Sequence, residues 1–416
     1  MTVETSPRPH PSPPDDLQGT GRLRPMSVLF TGVALTTVAL TGASAVSTLI
    51  AADAVGDRWS GTPNALAVLG TAIATLALGS VMARRGHRAG LAVGYLLAAV
   101  GAAVALGGVL TGALPLLLVG MIGVGAGNGS AQLARYSAAE LYPRDRKGFA
   151  LSLIVWAGTI GGIVGPLLIS PTAHLAERLS MPAHAGPFLL TIVAVGAAAA
   201  ASAALPRAAH RVLDGPRRLL PRGALRRALR TPAVGVAISA MVVAQLDMVA
   251  VMTMTPVHLD HHGHGLGTVG TILTIHVMGM FALSPLSGRL ADRYGGTAVI
   301  LAGIAVLVAA SGLVAVAPDA HTSALPLALF LLGYGWNLAF VGGSSLLSRH
   351  LPADTRTQIE GMIDALVWGS SALASLGSGV ILQGGGYVVL ALTAGAIVVV
   401  PLIVIAAARA RPTDAN

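Results

Sequence analysis

Thioether and imidazole side chains recur at a four-residue spacing in two neighbouring apolar runs: Met248 and Met252, then His276 and Met280. On a helix that spacing places each pair on one face, one turn apart. Met241 and Gln245 extend the first stripe upstream. Soft, neutral donors of this kind select Cu(I) over Mg, Ca or Mn. Neutral donors also bind weakly enough to release an ion. Six of the twelve methionines fall between positions 241 and 280, and His276 is the one histidine deep inside an apolar run. A buried imidazole is costly unless its nitrogens have partners. A methionine stripe also serves ordinary helix packing, and a lone histidine can bind an organic molecule or relay protons.

The runs that carry these side chains belong to a chain unlike a soluble protein. Of 416 residues, 54% are apolar and 52 more are glycine, while only 10% are charged. About a quarter charged is usual for a soluble protein, so no water-facing surface can be built here. That excludes a soluble enzyme and a disordered chain. The net charge of +9 comes from basic residues scattered among apolar runs, not gathered in a nucleic-acid patch. The absence of cysteine excludes disulfides and thiolate metal sites. No phosphate-binding loop is present, so nothing in this chain couples it to ATP.

A bilayer core of roughly 30 Å needs about 20 apolar residues per helix. Twelve such runs lie near 28–50, 63–83, 90–111, 113–135, 149–171, 187–206, 233–256, 268–287, 297–317, 324–347, 359–382 and 387–408. Their continuity predicts helices, not the alternating strands of a barrel. With the N-terminus inside, 24 of the 26 basic residues fall on inner segments, and only Arg58 and Arg178 fall outside. This asymmetry predicts a multi-pass plasma-membrane protein with both termini cytoplasmic. The expected organisation is a disordered cytoplasmic tail (1–25), a six-helix bundle (26–206), a basic linker along the inner surface (207–232), a second six-helix bundle (233–410) and a short tail (411–416).

On this layout the first Met pair lies toward the outside, with Met252 roughly 10 Å and Met248 about 4–5 Å from mid-membrane. His276 falls near the middle, and Met280 about 4–5 Å toward the inside. The four therefore read as a ladder down one cavity. His258, His261, His262 and His264, with Asp260, cluster in the loop between these two runs and form a candidate outer feeder site. Asp247, beside Met248, is a candidate coupling residue, because an acid at membrane depth is a functional suspect by default. Glu360 and Asp364 suit the first turns of a helix. Asn128, Gln132 and Arg135 can line a cavity or bridge helices.

The halves repeat at one offset. Gly79, Arg84 and Gly86 lie 209 residues before Gly288, Arg293 and Gly295, and the same offset joins Asn128 to Asn337 and Pro143 to Pro352. Subtracting 209 from the four ladder positions gives Ala39, Ala43, Ala67 and Thr71, so the fold does not itself require Met or His there. Parallel six-helix repeats are a transporter architecture with substrate bound between the halves.

The Gly288-x-x-x-Asp292-Arg293-x-Gly295 loop resembles the signature of the major facilitator superfamily, and Gly79, Arg84 and Gly86 repeat it with Ala83 at the acidic place. The resemblance covers residues 26–410. It implies an all-α membrane protein of twelve helices in two pseudo-symmetric bundles, a transporter and not an enzyme. It further implies that Asp292 locks the inner gate against the start of the fifth helix near Arg146 and Lys147, a lock that Ala83 lacks. Met-x-x-x-Met in the seventh helix, His-x-x-x-Met in the eighth, residues 255–285 and Gly335-Trp336-Asn337 are also similar to bacterial copper importers that supply haem–copper oxidase assembly. That narrower resemblance implies import of Cu(I) by alternating access. Copper would then be cargo and not cofactor, the carrier a monomer in the bilayer, and a cytoplasmic copper chaperone a candidate receiver. The alternative is transport of a small organic molecule (drug, metabolite or vitamin), against which the low aromatic content of 4% weighs mildly.

Overall fold

The computed structural model describes residues 23–142, 147–205, 228, 230–316, 324–351 and 356–410. Among them there are helices and short turns and no strand. The first half holds α1 (Leu23–Val55), α2 (Thr62–Arg85), α3 (His87–Thr111), α4 (Leu114–Glu140), α5 (Lys147–Leu167), α6 (Ile169–Arg178) and α7 (Gly186–Ser202). The second holds α8 (Pro232–His261), α9 (Leu266–Phe281), α10 (Ser284–Tyr294), α11 (Gly296–Val316), α12 (Ala324–His350), α13 (Arg356–Ile397) and α14 (Val400–Ala410).

Among the described residues ten stretches are long and apolar enough to cross a bilayer, and α5 with α6 forms an eleventh pass bent by 49°. The stretch Met362–Ala407 has 46 residues. A straight helix of that length would run about 70 Å, more than twice a bilayer core. Gly386 breaks it with φ 76 and ψ −179, so it makes two passes. The twelve expected passes are thereby accounted for.

Two passes differ from their sequence outline. The fifth bends after Leu167, because Pro166 lacks a backbone donor and Pro171 follows in the next turn. The eighth does not end near 287. It breaks at Ala282 and Leu283, restarts with Pro285 in its first turn and continues to Tyr294. The basic linker and both tails fall largely outside the described residues.

The outer surface is apolar, with Leu76 and Val316 each 79% exposed. Such a surface is stable only in lipid. Within each half the helices approach through small residues. Gly94 of α3 sits on Ser130 of α4, and 209 residues later Gly303 of α11 sits on Ala339 of α12. The repeat read in the sequence is therefore a repeat of packing. In the second half, α8 and α9 each pack far more on α12 than on one another.

Candidate transport site

Met241, Gln245, Met248 and Met252 share one face of α8, and its Met241–Gln245 end lies against α12 and α13. A β-carbon on Gly343 of α12 would come within 2.6 Å of Met241 Cγ. The indole of Trp336 donates to Gln245 Oε1 at 2.8 Å, and Gln245 Nε2 donates to Ser371 Oγ of α13 at 2.8 Å. An indole N–H can only donate, so this contact fixes which end of the amide faces which helix. Met248 is buried, and Met252 is partly buried against the main apolar core.

The α9 pair turns to α12 as well. His276 Nδ1 donates to the Leu329 carbonyl at 2.8 Å. A carbonyl can only accept, so the proton is on Nδ1 and Nε2 carries a lone pair. Nε2 is buried and has no hydrogen-bond partner among the described residues. One turn on, Met280 Cγ lies 3.1 Å from where a β-carbon on Gly333 would be. The sequence outline has the two pairs facing across one cavity. In the fold His276 and Met280 lie against α12, as do Met241 and Gln245 of α8, and between them that helix presents aromatic rings. Trp336 stacks on Phe340 with centroids 4.8 Å apart and meets the edge of Phe281 at 6.3 Å. Phe281, Phe340 and Ser371 escape a search for metal ligands. The spacing of Trp336 and Phe340, four apart on one helix, is the signal that could have found two of the rings.

Two of the loop histidines come together, the His258 and His262 rings lying 4.4 Å apart. Helix α8 runs on through Pro256 to His261, so His258 and His261 belong to its last turns, about 60° apart around the axis. His258 is buried and stacks on Tyr387 at 4.1 Å. His262 donates from Nδ1 to the His258 carbonyl at 2.7 Å. His261 Nε2 reaches across to Asp57 Oδ1 at 3.4 Å, and His264 follows in the connection to α9. Among the described residues no three His, Asp or Glu side chains converge on a metal-sized site. The expected feeder set is thus seen as one touching pair, His258 and His262, with His261 turned to Asp57.

Asp247 is buried, and neither carboxylate oxygen has a hydrogen-bond partner among the described residues. Two residues on from Gln245, it points to the other side of α8.

The gating loops keep the repeat. Gly86 (φ 82, ψ 166) and Gly295 (φ 84, ψ 157) adopt the same backbone conformation, and their N–H groups close on Met82 and Ala291, again 209 apart. Nothing lies near the added β-carbon at Gly79 or Gly288. Arg84, Asp292 and Arg293 are exposed, and Arg293 lies over the Tyr294 ring at 5.3 Å. Residues 143–146 and the side chain of Lys147 fall outside what is described, so the expected partners of Asp292 do too.

The halves meet at the end that carries the 56–61 and 262–265 connections. A β-carbon on Gly61 would strike the Ser375 carbonyl, and one on Gly270 would strike the Pro166 carbonyl at 2.2 Å. The two contacts are related by the 209 offset on both sides. So are the contacts of Gly379 with the Arg58 carbonyl and Gly267 with Ser170. Thr274 donates across the same end to the Ile163 carbonyl at 3.1 Å. At the opposite end, Arg135 of α4 acts electrostatically on Asp364 of α13.

Twelve apolar passes in two repeat-related halves, joined edge to edge at one end, define a membrane transporter. The chain belongs to the major facilitator superfamily, whose family model matches residues 26–375 and 236–416, and it is a secondary transporter and not an enzyme. It is 32% identical over 375 residues to the uncharacterised transporter YddS of Bacillus subtilis, covering 86% of this chain and 85% of that one. It is 30% identical over 346 residues to the riboflavin transporter RfnT of Brucella anthropi, covering 82% and 85%. Among solved structures it resembles a D-xylose–proton symporter, with a TM-score of 0.71, 15% identity, and 90% and 97% of the two chains covered.

Proposed function

We propose that this transporter carries a small organic molecule with a planar aromatic ring system, of the kind a flavin presents. The observation that carries the reading is the aromatic group formed by Trp336, Phe340 and Phe281, with the oriented amide of Gln245 at its edge. Stacked rings reward a flat heterocycle, and an amide adds polar selectivity. The likeness to a riboflavin transporter supports the same class. The low aromatic content is no objection once the few rings are placed together. The test is uptake of radiolabelled riboflavin into proteoliposomes holding the purified protein. Saturable uptake, competed by unlabelled flavin and weakened in Trp336→Ala, is expected. Absence of any flavin-dependent flux, in a preparation that proves folded, sinks the reading.

A second reading, import of Cu(I), has one observation in its favour. His276 is held by a carbonyl at Nδ1 and offers a buried, unpartnered Nε2. Metal-binding histidines are commonly oriented in this way. On this reading Met248, Met252, His276 and Met280 pass the ion, and a cytoplasmic chaperone receives it. Radioactive copper uptake separates the two readings, since only the second requires His276. For either cargo, basic residues on the Arg84 and Arg293 side support a bacterial plasma-membrane carrier with both termini inside. The closed end then faces outward.

A further inference from the structure

We infer that Asn64 is the polar latch of the closed end, the residue whose hydrogen bonds must break before the two halves part there. The α2–α13 and α5–α9 seams share their backbone contacts through the repeat, glycine against carbonyl in both. Their side chains differ. Asn64 Nδ2 donates to Ser375 Oγ at 2.6 Å and reaches Thr253 Oγ1 at 3.5 Å, while Asn64 Oδ1 accepts from Ser44 Oγ at 2.8 Å. One amide thus ties α1 and α2 of the first half to α8 and α13 of the second. Its repeat mate, 209 residues on, is Leu273, which can make no such tie, so the α5–α9 seam has one two-helix bond, Thr274 to the Ile163 carbonyl, in place of a four-helix one. Ser375 is fully buried, and Ser60 adds a neighbouring bridge, donating to Met254 Sδ at 3.2 Å.

Glycine contacts let the backbones approach but hold them only by dispersion. The Asn64 amide adds directional bonds. Opening this end admits water, which replaces them, so the latch is worth only the net value of a hydrogen bond. That is enough to set how often the end opens and too little to hold it shut. One net bond corresponds to about a five-fold change in the open-to-closed ratio. Asn64 is a positioning residue in this account and need not touch the cargo.

The chain has no cysteine, so Leu179→Cys and Gln383→Cys supply the only two thiols for fluorescent dyes. Both positions are exposed and lie on opposite halves at the closed end. Single-molecule energy transfer on the purified full chain then counts opening events. Asn64→Ala and Ser375→Ala are each expected to raise the opening rate about five-fold, from the net worth of one bond. The double variant should open no faster than the faster single, because both changes remove the same bond. Ser311→Ala, whose hydroxyl bonds only within its own helix, should leave the rate unchanged. Ser375→Ala removes a single oxygen and keeps the test available where Asn64→Ala does not fold. Parental opening rates in the single variants, or a double effect equal to the product of the singles, would overturn the latch.

Discussion

The Nδ1 proton of His276 rests on the carbonyl of Leu329 at 2.8 Å, so the imidazole is a clamp between α9 and α12 as well as a lone-pair donor. The two roles separate under mutation. His276→Ala removes the clamp, the second hydrogen bond on a carbonyl that keeps its own helical one, which costs about 0.5–1.5 kcal/mol. Thermal unfolding of the purified protein should show that loss. Riboflavin uptake should survive in the fraction that stays folded, while any copper uptake disappears. A variant as stable as the parent would mean that the clamp is not formed.

Trp336 makes the complementary case. Stacking of a base on an aromatic side chain is worth about 1–3 kcal/mol, so Trp336→Ala should raise the flavin KM roughly ten-fold or more. Trp336→Phe keeps a ring but leaves Gln245 Oε1 without its donor, and should fall between the two. Initial rates of uptake across a range of flavin concentrations decide it. An unchanged KM in both variants would remove Trp336 from the site.

The seam glycines give a structural test that needs no substrate. A methyl group at position 61 or 270 would meet a carbonyl oxygen, so Gly61→Ala and Gly270→Ala should each force the closed end apart. The introduced pair Ser170→Cys and Gly267→Cys reports this. The two β-carbons would stand 3.8 Å apart, within the range a disulfide requires. Bridge formation on oxidation should be fast in the parent and slowed at least ten-fold, on the order of a 1.4 kcal/mol change, in either glycine variant. Gly196→Ala, which meets nothing within 4 Å, should behave as the parent.

The gating-loop glycines should divide into two kinds. Gly86→Ala and Gly295→Ala place a side chain in a backbone region that is nearly exclusive to glycine, at a cost of about 1–3 kcal/mol each. Gly79→Ala and Gly288→Ala lie in helices with open space around them, where alanine is favoured by up to about 1 kcal/mol. Thermal unfolding of the four variants should therefore show two losses of similar size and no loss at the other two. Equal losses at all four would show that conformation is not what separates them.

The comparison of α8 with its surroundings shows where reading by sequence stops. The face shared by Met241, Gln245, Met248 and Met252 follows from 3.6 residues per turn, and it holds in the fold. The helix that receives this face does not follow from the same periodicity. The sequence sets two neighbouring spans face to face, but His276 and Gln245 each bond to α12, 53 and 91 positions further along. The histidines at 258–264 show the same limit: α8 continues through Pro256 and brings His258 and His262 together one turn apart, while His261 turns to Asp57. Gly61 and Gly270 were invisible among 52 glycines, because a glycine in an apolar run looks the same whether it meets lipid or a carbonyl.

By itself the sequence determined the twelve passes, the 209-residue repeat and the superfamily. A bilayer leaves an apolar run of sufficient length one regular way to satisfy its backbone, and a duplicated motif needs no coordinates to be seen. Only the tertiary structure decided which end is shut, which helix receives the methionine and histidine faces, and that three scattered aromatic residues stand together. Those outcomes depend on how helix surfaces of similar composition fit against one another. That fit is a property of shape across the whole bundle, and no local window of residues carries it.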